Sequence, residues 1–185
     1  MTVSSGQTYL AIPGPSVIPE EVLRSMHRAA PNIYEGDLIE TTESLIPDLN
    51  YVAQSSGNVA IYIANGHGIW EAALSNIVTA NDHILVVATG RFAHGWADMA
   101  RKIGVNVDIL DFGRNRALDI EVLAKKLKSE AQTKYKAILM THVDTSTSIK
   151  NDISSIKKKL EEIDCSALLA VDCIASLACD KFEMD

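Results

Sequence analysis

Asp172 is the first residue whose position suggests chemistry, because it directly follows the apolar run at residues 168–171. A short apolar run of this kind is typical of a strand that is buried on both faces of a parallel sheet. Ligands of open α/β sheets bind beyond the carboxyl ends of the strands, so the Asp172 carboxylate could contact a ligand there. The residues alone leave a second interpretation open, in which Asp172 caps a following helix.

A turn that contains two glycines, NGHG at residues 65–68, follows a predicted strand at 59–63 and precedes a predicted helix at 69–78. Glycine lets the backbone approach a ligand closely, and a helix N-terminus offers free N–H groups to an anion. The turn therefore predicts a phosphate site. It matches neither the dinucleotide-binding nor the P-loop glycine pattern, and any tight strand-to-helix turn tolerates glycine. His67 could equally be a structural side chain.

Aromatic and hydroxyl side chains follow two further predicted strands, at 84–87 and 137–140. Phe92 could stack on a flat ligand ring, with Trp96 one helical turn further on, although two core aromatic residues are the alternative and the favoured one for Trp96. Residues 145–148 are four consecutive hydroxyl residues, which could bind a polar ligand or hold a local turn. The His, Asp and Ser residues of this segment lie too close together in the chain to form a hydrolase triad.

Four strand ends thus offer an anion site, an aromatic face, a hydroxyl group and a carboxylate. Since ligands of open α/β sheets bind at the carboxyl edge, we expect these groups to converge there. A ligand with a phosphate, a flat ring and a basic ring nitrogen would fit them, and pyridoxal 5'-phosphate has all three.

The elements that must position these groups alternate along the chain between strands and helices. Strands that alternate with helices of ten or more residues indicate an α/β fold, here a three-layer α/β/α arrangement with a mostly parallel sheet. Strands are predicted at 59–63, 84–87, 105–109, 137–140 and 167–171, and helices at 69–78, at 92–103, from Asp119 and from Asp152.

The first part of the chain is predicted to differ from this alternating pattern. Residues 1–18 contain the sequence PGPS and are expected to form an extended arm, because proline fixes φ and removes a backbone donor. Pro19 opens a helix, and a second helical pattern at 37–53 contains Pro47, which should kink or divide it. Residues 19–185 are interpreted as one incomplete domain, since the last predicted strand is followed by no covering helix.

Composition narrows the class of protein. The net charge of −7 argues against nucleic acid or an anionic membrane surface as a partner. The chain has no signal peptide and no apolar run long enough to span a bilayer, so we expect a cytoplasmic protein. Its three cysteines form no CxxC pair and have no companion histidine cluster, which predicts free thiols, buried or half-buried, and no metal site.

Taken together, these motifs resemble those of the class V aminotransferases of fold type I, in particular the serine–glyoxylate and alanine–glyoxylate branch. Residues 13–16 resemble the N-terminal PGP arm of that family, and NGH at 65–67 with EAAL at 71–74 resembles its phosphate turn. The segment HVDTSTS at 142–148 is similar to the motif H-x-E-[ST]-S-T-G, and VDCIAS at 171–176 is similar to V-D-x-x-x-S.

The resemblance implies pyridoxal 5'-phosphate as the cofactor and assigns roles to residues that bind it. Backbone N–H groups of Asn65, Gly66 and His67 would hold the phosphate with the help of the helix dipole. Phe92, in the segment Gly-Arg-Phe, would stack on the pyridine ring, and Thr145 would form a hydrogen bond at the polar edge of the ring.

The resemblance also assigns Asp172 a role, that of pairing with the pyridine nitrogen. A carboxylate at that position favours the protonated ring, which then accepts the electron pair left when the substrate Cα–H bond breaks. Asp144 departs from the usual Glu and Ser148 from the usual Gly, so the hydroxyl segment is expected to lie somewhat differently.

The Schiff-base lysine of this family would lie beyond the end of the chain. Lys181 is too close to Asp172 and has the wrong sequence context for that role. The C-terminal small domain, with the arginine expected to bind the substrate carboxylate, would also be absent. We therefore expect an N-terminal fragment with no catalytic residue of its own, which is inactive alone.

For the full-length protein, the resemblance implies a homodimer that transfers an amino group from serine or alanine to glyoxylate, with small amino acids and 2-oxo acids as substrates. An aminotransferase of the 2-aminoethylphosphonate–pyruvate type is an alternative within the family. A non-catalytic α/β interaction module, or another phosphate-binding α/β protein, is the alternative from a different class.

Overall fold

The computed structural model describes residues 10–129 and 135–185. The chain divides into two compact units, Met1–Leu49 and Asn50–Asp185. Of the predicted arm, residues 1–9 lie outside the described residues, and residues 10–18 contain neither helix nor strand.

Two helices dominate the described part of the first unit. Helix α1 (Glu20–Met26) starts after Pro19, and its two N-terminal glutamates suit the positive end of the helix dipole. Helix α2 (Asp37–Ala53) continues through Pro47 into the start of the second unit. The prediction that Pro47 could divide this helix is wrong, because proline removes only one N–H donor and bends helices more often than it ends them.

The second unit alternates between helices and strands, as predicted. In chain order its elements are α3 (Gly66–Ile77), β1 (His83–Ala88), α4 (Arg91–Lys102), β2 (Asn106–Asp111), α5 (Ile120–Ser129), β3 (Ala137–Thr141), β4 (Val143–Asp144), β5 (Ile149–Lys150), α6 (Ile153–Glu162) and β6 (Leu168–Asp172). Four strands form one sheet in the order β2-β1-β3-β6, and every pair in it is parallel. The two short strands β4 and β5 form a separate antiparallel pair.

Successive residues of the central strands contribute to two different hydrophobic cores. Ile84 and Val86 pack on the face that α3 and α4 cover, whereas Leu85 and Val87 pack on the face of α5 and α6. This alternation follows from the two-residue period of a strand, and it explains why β1 is apolar at nearly every position. The predicted three-layer α/β/α arrangement is therefore confirmed.

The predicted strand at residues 59–63 is wrong. This segment is not in the strand order of either sheet, and Ile63 is fully exposed at 103% of its reference area. An apolar sequence shows only that a segment could be buried in a sheet, whereas a strand also needs a neighbour that accepts its hydrogen bonds. Within the described residues no such neighbour pairs with this segment.

The described residues contain neither a helix that could span a membrane nor a cluster that could hold a metal ion. No helix there is both long and apolar enough to cross a membrane. No cluster of three or more His, Cys, Asp or Glu side chains there could hold a metal ion. The cysteines are free, but Cys179 is exposed rather than half-buried, since it lies in the turn that follows β6.

Candidate functional site

The carboxyl ends of β1, β3 and β6 meet at one edge of the parallel sheet, as the sequence predicts. Thr141 pairs with Asp172 in the register of β3 and β6, and the His142 N–H donates to the Asp172 carbonyl at 2.8 Å. Asn151 joins the neighbouring ends, because its side-chain amide donates to the Thr89 hydroxyl at 3.1 Å and to the Thr141 carbonyl at 2.9 Å. The candidate site residues therefore lie at strand ends that are held together by hydrogen bonds.

The side chain of Asp172 is half-buried and receives one hydrogen bond on each carboxylate oxygen. The indole N–H of Trp70 donates to Oδ2 at 2.9 Å, and the backbone N–H of Ile174 donates to Oδ1 at 2.9 Å. The second bond holds a local turn, and residues 174–179 form turns rather than the helix that Asp172 was considered to cap. Since a carboxylate oxygen accepts more than one hydrogen bond, both oxygens keep acceptor capacity.

The segment after Asp172 packs directly against the glycine turn. A Cβ added at Gly66 would lie only 2.9 Å from Cδ1 of Ile174, so the side chain of Ile174 lies directly against the backbone at the start of α3. Trp70, one helical turn after Gly66, carries the hydrogen bond to Asp172. The N-terminal end of α3 and the Asp172 carboxylate therefore belong to one contiguous group of residues.

The start of α3 has the features of an anion site. Asn65 is the N-cap residue, and its side-chain oxygen accepts a hydrogen bond from the Gly68 N–H at 3.1 Å. This cap starts the helix three residues earlier than the predicted Ile69. First-turn N–H groups have no intrahelical acceptor, so those of Gly66 and His67 are available to an anion.

The aromatic residues form one cluster beside this helix end. The centroid of the Trp70 ring lies 4.6 Å from that of His67, 6.3 Å from that of Phe92 and 5.7 Å from that of Trp96. Trp96 is buried and stacks on Trp70, so the core interpretation of Trp96 is confirmed. Phe92 is only partly buried, and its predicted stacking on a ligand ring stays a prediction.

Asp144 has a role that the sequence analysis missed. Its carboxylate is fully buried and accepts hydrogen bonds from the backbone N–H of Phe92 at 3.0 Å and from the Ser146 hydroxyl at 2.6 Å. It therefore caps α4 at the positive end of the helix dipole. A Cβ at Gly90 would collide with this carboxylate, which requires glycine there. Two sequence features could have indicated this contact. One is an aspartate followed by hydroxyl residues, and the other is a glycine at the N-cap of α4, which has no side chain to cap the helix.

The other hydroxyl residues of segment 145–148 differ in their surroundings. The Thr147 hydroxyl donates to the Thr89 carbonyl at 3.0 Å, and Ser148 adopts a left-handed backbone conformation with φ of 58°. That conformation favours glycine and explains why Ser148 is an unusual residue at this position. Within the described residues the half-buried Thr145 side chain forms no hydrogen bond, so it is available to a ligand.

His142 and Ser176 form a second contact that the sequence did not predict. Both are buried, and Nδ1 of His142 lies 2.9 Å from the Ser176 hydroxyl oxygen. Burial lowers the pKa of His142 below its usual range; the nearby Lys150 adds to this effect, and Asp180 opposes it. The pair joins the segment that carries Thr145 to the segment that carries Asp172.

Cys173, next to Asp172, is not suited to act as a nucleophile. Burial, with a smaller contribution from the Asp172 charge, raises the pKa of its thiol to about 12. Since the thiolate is the reactive form, this thiol is inert at neutral pH.

The residues at this edge fit the three chemical features of pyridoxal 5'-phosphate. The N-terminus of α3 suits a phosphate, Thr145 and the partly exposed Phe92 suit a polar-edged ring, and Asp172 suits a basic ring nitrogen. The Thr141 hydroxyl supports this fit, because it is buried and has no hydrogen-bond partner within the described residues. It shares the face of the sheet with Asp172, since the two residues pair in register.

Comparison with known proteins gives concordant matches over nearly the whole chain. The family model described as "Aminotransferase class-V" matches residues 8–185. The serine–glyoxylate aminotransferase of Arabidopsis thaliana is 32% identical over 181 residues, which are 97% of this chain and 45% of that protein. The enzyme of the same name from Methylorubrum extorquens is 30% identical over 97% of this chain. The chain thus spans about 45% of the length of these relatives.

A solved structure shows the same fold. The ureidoglycine–glyoxylate aminotransferase of Bacillus subtilis superposes with a TM-score of 0.86 at 23% identity, over 98% of this chain and 46% of that one. The predicted fold, part of the large domain of fold type I, is therefore confirmed.

Proposed function

Because this chain belongs to the class V aminotransferase family, we propose that it is part of a pyridoxal-phosphate-dependent enzyme that transfers an amino group from serine or alanine to glyoxylate. Two relatives named serine–glyoxylate aminotransferase support this choice of donor and acceptor. Pyridoxal 5'-phosphate is the cofactor of the family, and when bound it supplies an electron sink for the substrate Cα.

One observation carries the proposal. Trp70, one turn into the helix that offers its N-terminus to a phosphate, donates a 2.9 Å hydrogen bond to the Asp172 carboxylate. A phosphate-binding end and a carboxylate suited to a ring nitrogen are therefore linked by one helical turn and one hydrogen bond. A ligand that carries a phosphate and a basic heterocycle is what this pair of groups would select.

In this proposal each group has a distinct task. The N–H groups at residues 65–67 bind the phosphate, and Phe92 and Thr145 position the ring. Asp172 keeps a proton on the ring nitrogen, because an anion at that atom favours the charged form. The partly buried surroundings strengthen this interaction relative to water.

We further propose that residues 1–185 do not transaminate alone. Lys181 is exposed and forms an ion pair with Glu183 at 2.8 Å, and Lys150 forms one with Asp180 at 2.6 Å. These contacts support the expectation that neither lysine serves as the cofactor-linked residue. With serine, glyoxylate and pyridoxal 5'-phosphate the chain should form no glycine; turnover at ordinary aminotransferase rates would contradict this proposal.

The full-length protein is proposed to be a homodimer. Several large apolar side chains of the first unit are exposed, including Tyr34 at 84% and Met26 at 65%. Exposed apolar side chains of this size are consistent with contacts to a second subunit.

Ligand binding tests the proposed cofactor site without requiring turnover. Pyridoxamine 5'-phosphate carries the same phosphate and ring and needs no lysine, so it can be titrated calorimetrically into this chain. Asp172→Asn should weaken its binding at least about tenfold, because a charge-assisted hydrogen bond to the ring nitrogen is lost. The control Asp98→Asn, at an exposed ion pair with Arg101, should bind like the wild type. Equal affinity of the Asp172→Asn variant and the wild type would contradict the proposed site.

A further inference from the structure

The two tryptophans of the chain are buried side by side but use their N–H groups differently. Trp70 and Trp96 are exposed by only 4% and 3%, and their rings stack with centroids 5.7 Å apart and planes 13° apart. The Trp70 N–H donates to Oδ2 of Asp172 at 2.9 Å. The Trp96 N–H has no hydrogen-bond partner within the described residues.

We propose that Trp70 is a positioning residue for the cofactor ring, which acts by holding the Asp172 carboxylate in the orientation that meets the ring nitrogen. The inference rests on the proposed function, since it assumes that Asp172 contacts that nitrogen. Two donors approach the carboxylate, Trp70 on Oδ2 and the Ile174 N–H on Oδ1. Together they fix the rotation of the side chain, whereas the Ile174 bond alone would leave Oδ2 without an anchor.

The indole is well suited to this task because it is itself held in place. Trp96 packs against one face of the Trp70 ring, and His67 contacts it edge-on with centroids 4.6 Å apart. A donor whose own position is fixed by packing loses little conformational entropy when it binds an anion. A hydrogen bond to a charged acceptor is also stronger than one between neutral groups.

Trp70 also connects the two ends of the proposed site. It lies one turn of α3 after Gly66, and α3 is the helix whose N-terminus faces the phosphate in the proposed function. The same helix therefore carries both the donor that holds the carboxylate and the N–H groups proposed to bind the phosphate.

The hydrogen bond itself can be tested without any ligand. The ¹H–¹⁵N NMR spectrum of the chain should contain two indole N–H signals, which the variants Trp70→Phe and Trp96→Phe assign. Asp172→Ala should shift the Trp70 signal upfield and speed its exchange with solvent, because the charged acceptor is gone. The Trp96 signal should change little. If the Trp70 signal neither shifts nor exchanges faster in Asp172→Ala, the inference is overturned.

The positioning role is tested with a matched pair of ligands. One is pyridoxamine 5'-phosphate, and the other is its analogue with carbon in place of the ring nitrogen. Trp70→Phe should weaken binding of the first roughly tenfold while changing binding of the analogue less than about twofold. A merely structural role of Trp70 would weaken both ligands alike. Trp96→Phe, which removes an unpaired N–H from the same stack, should weaken neither.

The outcomes separate the inference from the proposed function. If the wild type binds both ligands equally, the contact to the ring nitrogen is refuted, and the positioning role falls with it. If the wild type prefers the natural ring and Trp70→Phe keeps that preference, only the positioning role is refuted. If Trp70→Phe does not fold, the Asp172→Ala spectrum still tests the hydrogen bond on which the inference depends, and a Trp70 signal that does not shift overturns it.

Discussion

Asp144 and Asp172 are two carboxylates at neighbouring strand ends, and their surroundings are opposite. Asp144 ends the short strand β4 and is fully buried. Its carboxylate accepts hydrogen bonds from the N–H groups of Phe92 and Ala93 and from both the N–H and the hydroxyl of Ser146. Asp172 ends β6, is only half-buried, and accepts one bond on each oxygen. The first carboxylate has its acceptors largely occupied by the protein, whereas the second keeps capacity for a ligand.

The comparison shows how the number of hydrogen bonds that a carboxylate already accepts distinguishes a structural charge from one that is available to a ligand. A buried charge is stable only when it is paired or fully hydrogen-bonded, as Asp144 is. Removing it should mainly cost stability. Removing Asp172 should mainly cost ligand binding.

The largest expected effect follows from removing the saturated carboxylate. Asp144→Ala leaves the donors of Phe92 and Ser146 without acceptors and uncaps α4, so the free energy of unfolding should fall by about 3 kcal/mol. Asp172→Ala should lower it less, by about 1 kcal/mol, because its surroundings are partly solvated and only the N–H groups of Trp70 and Ile174 lose an acceptor. Urea denaturation followed by tryptophan fluorescence measures both values. If the two variants lose the same free energy of unfolding, the proposed difference between the two carboxylates is contradicted.

A pH titration tests the contact between His142 and Ser176, which joins the segment of Asp144 to the segment that follows Asp172. Unfolded histidine binds a proton near pH 6.5, whereas buried His142 binds one only at lower pH, so protons favour the unfolded state between these values. Stability should therefore be fully present above about pH 6.5 and fall as the pH drops below it.

The variant His142→Gln should remove this part of the pH dependence. Carboxylates with lowered pKa values, Asp82, Asp152, Asp180 and Asp185, lose their contribution in a more acidic range, below about pH 4. His27→Gln, at an exposed position at the end of α1, serves as a control. If the unfolding free energy of His142→Gln falls with pH below about 6.5 as steeply as that of the wild type, a group other than His142 causes the pH dependence.

The smallest effect concerns the backbone next to Asp144. Ser148 has φ of 58°, so Ser148→Gly should relieve backbone strain and raise the free energy of unfolding by about 0.5 to 1 kcal/mol. The same substitution at the exposed Ser154 in α6 should instead lower it, because glycine weakens a helix. A loss of stability in Ser148→Gly would show that the hydroxyl itself matters there.

The sequence predicts the alternating part of the fold well, because β1, β3 and the helices around them have strong and complete apolar patterns. It fails at residues 59–63, where an apolar pattern gives no information about a pairing partner. Motif resemblance predicts that Asp172 and the turn at 65–67 bind the cofactor, and in the structure the residues around them are in contact.

The contacts that hold the site could not be predicted in this way. Asp144 caps a helix that begins 53 positions earlier in the chain, and His142 contacts Ser176, 34 positions later. Local patterns do not encode such distances. A motif shows which residue types occur, but only the folded chain shows which of them satisfy one another.

The most direct test of the account is a crystal structure of this chain with pyridoxamine 5'-phosphate bound. The account predicts the phosphate against the N–H groups of Gly66 and His67 and the ring nitrogen within hydrogen-bonding distance of the Asp172 carboxylate. A phosphate bound elsewhere, or a ring nitrogen that faces away from Asp172, would contradict it.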